Sequence, residues 1–444
     1  MMRLAVVAAG VLGSAAALFP KNEAGGKNWV MLVAGSNTYG NYRHQSDICH
    51  AYRLVTEKGG IPKENVVTFM FNDIANSPSN PFQGNIINHP NGTNNWPFVK
   101  DNIDYEGKSV NPMNILAALR GDKDAIDCQG AKCTKKVIES TADDNIFFYF
   151  ADHGAPGLIA MPDGSPGGYL YEKNLTATIK QMHAQKAYKQ MLIYIEACES
   201  GSMGENLPND IDVYMTTAAT SWQSSYAWYM DEKRKTYLAD EYSKNWMENA
   251  DKEAYGKFTL FEQFETVSFL TNKSEPMYFG DMSIGQQDMS AFMGAGPSSN
   301  TKIATPQSAD VNLDVPSCRD VDLYLAQHRV RLATNAQERA VAQRELETEK
   351  AARARADLIM RTTLTTIAPN AAAAKQLETF LYHKVPPTPC LQTLVEGVEA
   401  VCGRFTDYAL KWVRPLVNVC VAGYAEGEVI EAARHACGNG AAGF

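Results

Sequence analysis

The run at residues 190–196, QMLIYIE, is apolar with β-branched and aromatic residues, and it ends in Ala197-Cys198-Glu199-Ser200-Gly201. This pattern reads as a buried strand that stops at a small-residue turn. It delivers a thiol to the edge of a sheet, where backbone amides are free, so Cys198 is a candidate nucleophile if a base can reach it. The competing reading is a small core residue, because free cysteine is among the most buried residue types.

The same kind of run recurs at 28–35 (NWVMLVAG), 66–71 (VVTFMF), 145–151 (NIFFYFA) and 213–218 (VYMTTA). Helical spacing marks 47–59, 114–121 and 177–187 between them. Strands alternating with helices predict an α/β fold, a parallel-dominated sheet flanked by helices on both faces. In such sheets, function collects beyond the carboxyl ends of the strands. Three polar groups fall there: a loop at 36–45 with Asn37, Asn41, Arg43 and His44, the triplet Asp152-His153-Gly154, and Glu196 to Gly201. A cysteine and a histidine at the ends of nearby parallel strands are placed as a thiol–imidazole pair requires. A core histidine is the alternative for His153.

A chain of 444 residues exceeds one typical core and predicts two domains with connections. The net charge of −9 argues against general nucleic-acid binding and against a polybasic membrane anchor. Residues 335–444 hold twelve Lys/Arg and twelve Asp/Glu, so the whole deficit lies earlier, which supports a boundary near 335. Residues 1–17 read as a signal peptide, with Arg3, an apolar stretch and the small residues Ala15-Ala16-Ala17; 18–27 follow as a short N-terminal propeptide. No other segment approaches about twenty apolar residues, so no membrane anchor is expected and the route is secretory, lysosomal or vacuolar. Sequons at Asn91, Asn174 and Asn272 agree with that route.

The nine cysteines leave at least one unpaired within the chain. Cys390, Cys402, Cys420 and Cys437 crowd into the tail and suggest a two-disulfide module. Cys128 and Cys133 are placed to close a small loop, and Cys49, Cys198 and Cys318 are left over. No Cys/His cluster has zinc-ligand spacing, so neither a metal nor a cofactor is expected. The domain reading is a catalytic unit over 28–300, a linker and helix region over 301–385 and a helical disulfide module over 386–444. The charged helix or helix pair at 321–360 reads as a tether.

His153-Gly154 after one strand, and Glu196-Ala197-Cys198-Glu199-Ser200-Gly201 after another, resemble the legumain (asparaginyl endopeptidase) family. The resemblance extends through Ala34-Gly35-Ser36-Asn37, Asn41-Tyr42-Arg43-His44-Gln45, Ser224-Ser225-Tyr226-Ala227, Asp231-Glu232-Lys233-Arg234 and the spacing of the tail cysteines. It implies a caspase-like fold with an all-α inhibitory prodomain. Cys198 would be the nucleophile, His153 the proton carrier and Asn41 its orienting partner. The amides of Gly154 and Cys198 would form an oxyanion hole, worth ~3 kcal/mol per donor.

A pocket for asparagine needs both a donor and acceptors. Arg43 would donate to the carboxamide C=O, Glu196 and Asp240 would accept from its NH₂, and His44 and Ser225 would complete the walls. A buried ion-pair network is the alternative reading of Arg43, Glu196 and Asp240. The resemblance also implies pairing of Cys390 with Cys420 and of Cys402 with Cys437. It further implies activation by cleavage after Asn335, with partners that are protein and peptide substrates, the chain's own prodomain and cystatin-type inhibitors. A ligase using the same site is a second reading and a catalytically silent relative a third. A lipid-anchor transamidase would carry a membrane helix near its C-terminus.

Overall fold

The computed structural model describes residues 25–130, 132–299, 315–382, 384–386, 389–438 and 444. The signal peptide and most of the N-terminal propeptide expected at 18–27 lie outside the described residues.

Strands β1 (Asn28–Ala34), β2 (Val66–Phe69), β3 (Asn145–Ala151), β7 (Gln190–Glu196) and β8 (Val213–Thr217) pair in parallel, and β11 (Met277–Gly280) adds antiparallel to β8. The order is β11-β8-β7-β3-β1-β2. A small sheet of β4 (Gly154–Ala155), β5 (Leu158–Ala160) and β6 (Tyr169–Tyr171) sits between β3 and β7 in the chain, and β9 (Ala227–Asp231) pairs with β10 (Thr236–Asp240) as a hairpin. Successive residues of a strand point to opposite faces. Val30, Leu32, Phe147, Tyr149, Leu192 and Tyr194 therefore join one core, while Met31, Val33, Ile146, Phe148, Ile193 and Ile195 join the other. Both faces are covered, which is why these strands carry so few polar positions.

Helices α1 (Tyr42–Arg53), α2 (Trp96–Val99), α3 (Pro112–Leu119), α4 (Glu172–Ala184), α5 (Glu241–Lys252), α6 (Leu260–Leu270) and α7 (Ser290–Met293) complete the first unit. Local chemistry sets their starts: Asn111 Oδ1 caps α3 ahead of Pro112, and Thr259 with Glu262 forms a capping box on α6. α1 begins five residues before the sequence reading placed it, so Arg43 and His44 lie in its first turn and not in a loop. Apolar spacing missed this turn because residues 43–47 are polar and nevertheless fully buried. The sequence reading assigned no strand to the β9–β10 hairpin or to β11; their short strands end in Asp231, Asp240 and Gly280, which break the alternation.

α8 (Val321–Leu332), α9 (Ala336–Ile367), α10 (Ala371–Thr379), α11 (Leu391–Cys402), α12 (Val413–Val421) and α13 (Glu426–Cys437) follow. The tether reading of 321–360 needs correction. α9 packs along α8 and α13, and its stripe of Ala356, Ile359, Met360 and Leu364 shares a core with Leu394, Val398, Leu416 and Val429. Alanine, arginine and glutamate between those positions hid the stripe. The same core takes in Leu158, Tyr169 and Tyr171, so the helical unit sits on the β4–β6 sheet. Disulfides join Cys390 to Cys420, Cys402 to Cys437 and Cys128 to Cys133, and Cys49, Cys198 and Cys318 are free. Among the described residues, no helix is long and apolar enough to cross a membrane.

Candidate active site

β3 and β7 are neighbours in register, with Ala151 opposite Glu196, so Asp152-His153-Gly154 and Ala197-Cys198-Glu199 leave the sheet side by side. The Asp152 amide donates to Glu196 O at 3.0 Å and ties the two exits together. Gly154 packs against the turn so closely that a Cβ there would lie 2.5 Å from Cys198 O, which excludes any side chain. Glu199 turns the chain with a φ of 51°, in the left-handed region.

Asn41, immediately before α1, accepts from His153 Nε2 through its Oδ1 at 2.9 Å. Nε2 also faces Asp407 Oδ2 of the helical unit at 3.1 Å. Two oxygens on Nε2 make it the protonated nitrogen, which in the neutral ring leaves the lone pair on Nδ1, a buried atom with no hydrogen-bond partner among the described residues. Burial alone would lower the His153 pKa, but Asp407 outweighs it and pushes the imidazole up to about 9. The Cys198 thiol is held well below its ordinary value by a hydrogen bond from Cys318, which with the charges of Arg319 and His153 overcomes burial. Both shifts favour the charged forms, thiolate and imidazolium.

The expected pocket residues converge at the same point. Arg43 Nε donates to Asp240 Oδ1 at 2.9 Å, with both side chains fully buried. Glu196 Oε2 accepts from Ser243 N and Oγ at 2.8 and 2.9 Å. His44 lies with Nδ1 2.7 Å from Ser36 Oγ and Nε2 3.5 Å from Asp240 Oδ2, edge-on to the His153 ring. Burial and then Arg43 keep His44 neutral, and burial followed by Asp240 raises Glu196 well above the usual carboxylate range. Four buried atoms of these pocket residues find no hydrogen-bond partner among the described residues: Arg43 Nη2, His44 Nε2, Glu196 Oε1 and Asp240 Oδ2.

A segment that the sequence reading left in the linker fills this cleft. The Cys318 amide donates to Ser225 O at 2.9 Å, Ser317 bridges antiparallel to Tyr226, and Ala227 N donates to Pro316 O at 3.2 Å. Residues 316–318 thus add a short strand to the edge of β9. The Cys318 side chain enters the pocket, its thiol 3.2 Å from Asp240 Oδ1 and 3.3 Å from Ser225 Oγ. The chain then turns into a 3₁₀ helix at Cys318–Asp320, so the next peptide bond is not extended across the nucleophile. Arg319 continues past it to bond Gly154 O and Glu199.

The helical unit seals the arrangement. Arg414 bonds Glu199 at 2.7 Å and Trp222 O at 3.0 Å, Arg353 bonds Asp320 and Arg319 O, and Arg404 bonds Met161 O and Gly168 O. Sequence reasoning missed Glu199, Cys318, Arg319, Asp407 and Arg414. The one available signal was the odd cysteine count, which left Cys318 without a partner. His44, Asp152 and His153 offer ligand atoms within 4.8 Å of one another, but Ser36, Asn41 and Asp407 engage two of these three as hydrogen-bond partners. Asn335 is exposed and caps α9, its Oδ1 accepting from Glu338 N at 2.9 Å. Asn91 and Asn272 are exposed, and Asn174 is half-buried in α4.

A cysteine and a histidine at neighbouring strand ends, with the substrate edge occupied by the chain's own downstream segment, define a cysteine endopeptidase in latent form. Residues 28–295 match the model of the Peptidase C13 family, and 344–437 match that of the legumain prodomain. Legumain of Bos taurus is 40% identical over 416 residues, covering 92% of this chain and 93% of its own length. Legumain of Homo sapiens is 37% identical over 441 residues and 98% of each chain. The vacuolar-processing enzyme beta-isozyme of Arabidopsis thaliana is 35% identical over 446 residues, 93% of this chain and 87% of its own. The chain belongs to the peptidase C13 family and is a cysteine protease zymogen whose C-terminal helices are a legumain-type prodomain.

Proposed function

We propose that the mature enzyme cleaves peptide bonds after asparagine. Arg43 Nη2, Glu196 Oε1 and Asp240 Oδ2 carry this reading: one buried donor and two buried acceptors lack partners beside Cys198. A carboxamide presents one C=O and one NH₂ and would satisfy all three, whereas leaving them unmade costs about 1–3 kcal/mol each. Cys198 Sγ attacks the carbonyl carbon, the amides of Gly154 and Cys198 receive the oxyanion, and His153 Nδ1 protonates the leaving amine. Water then hydrolyses the thioester, with His153 taking its proton. Asn41 fixes the imidazole through Nε2. The test is an activated preparation assayed at about pH 4–5 on fluorogenic peptides that differ only in Asn or Ala before the scissile bond. Equal rates would refute the assignment.

An aspartate in the pocket sets a third carboxyl beside Glu196 and Asp240; burial already favours the neutral form of Glu196, so cleavage after Asp needs a further proton on this carboxyl cluster. The ratio of kcat/KM for Asp over Asn peptides should rise at least tenfold (about 1.4 kcal/mol) between pH 6.5 and 4.5. A flat ratio would remove the paired acceptors from the specificity mechanism.

Docking of the prodomain has its own pH window. The raised pKa of His153 stabilises the docked state fully below 6.5, and this contribution is lost as pH rises through about 9. Asp407 is depressed because His153 outweighs burial, so its contribution is present above 3.8 and is lost as pH falls through its lower docked value. The pair therefore holds from mildly acid to neutral pH, and acid below about 4 weakens it. About a third of the Asp407 side chain is exposed, so the pair is worth only about 1–2 kcal/mol. Asp407→Asn should make the full chain activate roughly tenfold faster at pH 5.5, with the difference shrinking below pH 4, as read from the appearance of peptidase activity. We place the first processing cut after Asn335, at the exposed break between α8 and α9, and the enzyme in an acidic lysosomal or vacuolar compartment, as the name of the Arabidopsis relative suggests.

A further inference from the structure

Cys318 fills the pocket beside the nucleophile, yet a thiol matches poorly what the pocket offers. Its sulfur lies 3.3 Å from Ser225 Oγ, which is itself 3.7 Å from Cys198 Sγ, and the Ser225 amide donates to Cys198 Sγ at 3.4 Å. The two thiols thus flank one hydroxyl, both in contact with Ser225 Oγ. Both cysteines are at least 98% buried, and neither has another cysteine partner. Cys49, the third free thiol, sits in the helix core packed against the sheet, where burial raises its pKa and keeps it inert.

We infer that Cys198 and Cys318 form a reversible disulfide under a peroxide oxidant, a covalent latch that keeps the zymogen closed and shields its nucleophile. The latch rests on the reading of Cys198 as the nucleophile. Cys198 thiolate attacks one oxygen of hydrogen peroxide, giving a sulfenic acid and releasing hydroxide. The Cys318 sulfur then attacks the Cys198 sulfur, the S–O bond breaks, and the oxygen leaves as water with the Cys318 proton. Overall the thiolate and the thiol lose two electrons and one proton, and the peroxide becomes one water and one hydroxide, which takes a proton from solvent. Local opening of the plug admits the oxidant, and a dithiol reductant reverses the bond. Once formed, the disulfide holds 316–319 in the cleft even after a cut at Asn335, so acid alone would not open the enzyme.

The test uses the full chain, treated with hydrogen peroxide at neutral pH and digested without reduction. Mass spectrometry should find a peptide pair linked through Cys198 and Cys318. Acid activation of this material should yield at least tenfold less activity without dithiothreitol than with it. Cys318→Ser should lose the linked pair, and its peroxide damage should resist dithiothreitol, because Cys198 proceeds to sulfinic acid. The proposal is overturned if Cys198 maps as a thiol, as sulfinic acid or linked to Cys49 while the other three disulfides are intact, a result that needs no variant to fold. A reduced, acid-activated wild type that cleaves Asn and Ala peptides alike would sink the asparagine reading and leave the disulfide map unchanged, so the two failures are separable.

Discussion

Cys198→Ala should lower kcat/KM on Asn peptides at least ~10⁴-fold while the chain remains folded, because nucleophile and relay act as one unit and losing either forfeits most of the acceleration. The fold should tolerate the change: removing one sulfur from a 1% exposed site costs on the order of 1–2 kcal/mol, which thermal denaturation reads as a few degrees. Cys198→Ser should fare little better. The surroundings stabilise an anion on a thiol through Cys318, Arg319 and His153, and a hydroxyl starts far higher on the acidity scale. The alanine variant should also stay uncut at Asn335 unless active enzyme is added. More than about 1% residual activity would remove Cys198 from the nucleophile's place.

Arg43→Met carries the second largest effect. It removes the proposed donor to the substrate carboxamide and leaves Asp240 fully buried without its 2.9 Å partner. Breaking a buried pair costs about 3–5 kcal/mol, so the melting temperature should fall by roughly 10 °C and activity on Asn peptides by at least ~10³-fold. The double variant Arg43→Met/Asp240→Leu separates the two roles. Replacing both charges with apolar groups should recover most of the stability, because no charge is then stranded, but none of the activity, because the pocket has lost a donor and an acceptor. A double variant that regains Asn cleavage would show that the pair is structural and does not read the substrate.

Much of the catalytic half was legible because its signals are local. The runs at 145–151 and 190–196 match β3 and β7 residue for residue. His153, Gly154, Glu196 and Cys198 followed from where those strands end. Arg43 and His44 were read in a loop and lie in a helix, since an amphipathic pattern cannot reveal a helix turn whose buried face is polar and ion-paired. The closure of the site was illegible for a different reason. Asp407 meets His153 across 254 positions of chain, and Cys318 meets Ser225 across 93. No spacing rule reaches that far, and a linker composition concealed a segment that pairs like a strand.

The apolar seam between the prodomain and the β4–β6 sheet bears on the lifetime of the active form. Leu158, Tyr169 and Tyr171 are buried in a core shared with Leu394, Val398 and Leu416. When the prodomain departs, that surface meets water, and at ~25 cal/mol per Å² even a few hundred Å² represents several kcal/mol of lost stabilisation. The latent chain is then the durable form and the working enzyme the perishable one. A molecule that loses the prodomain would therefore carry its own limit on working life, set by the surface it uncovers.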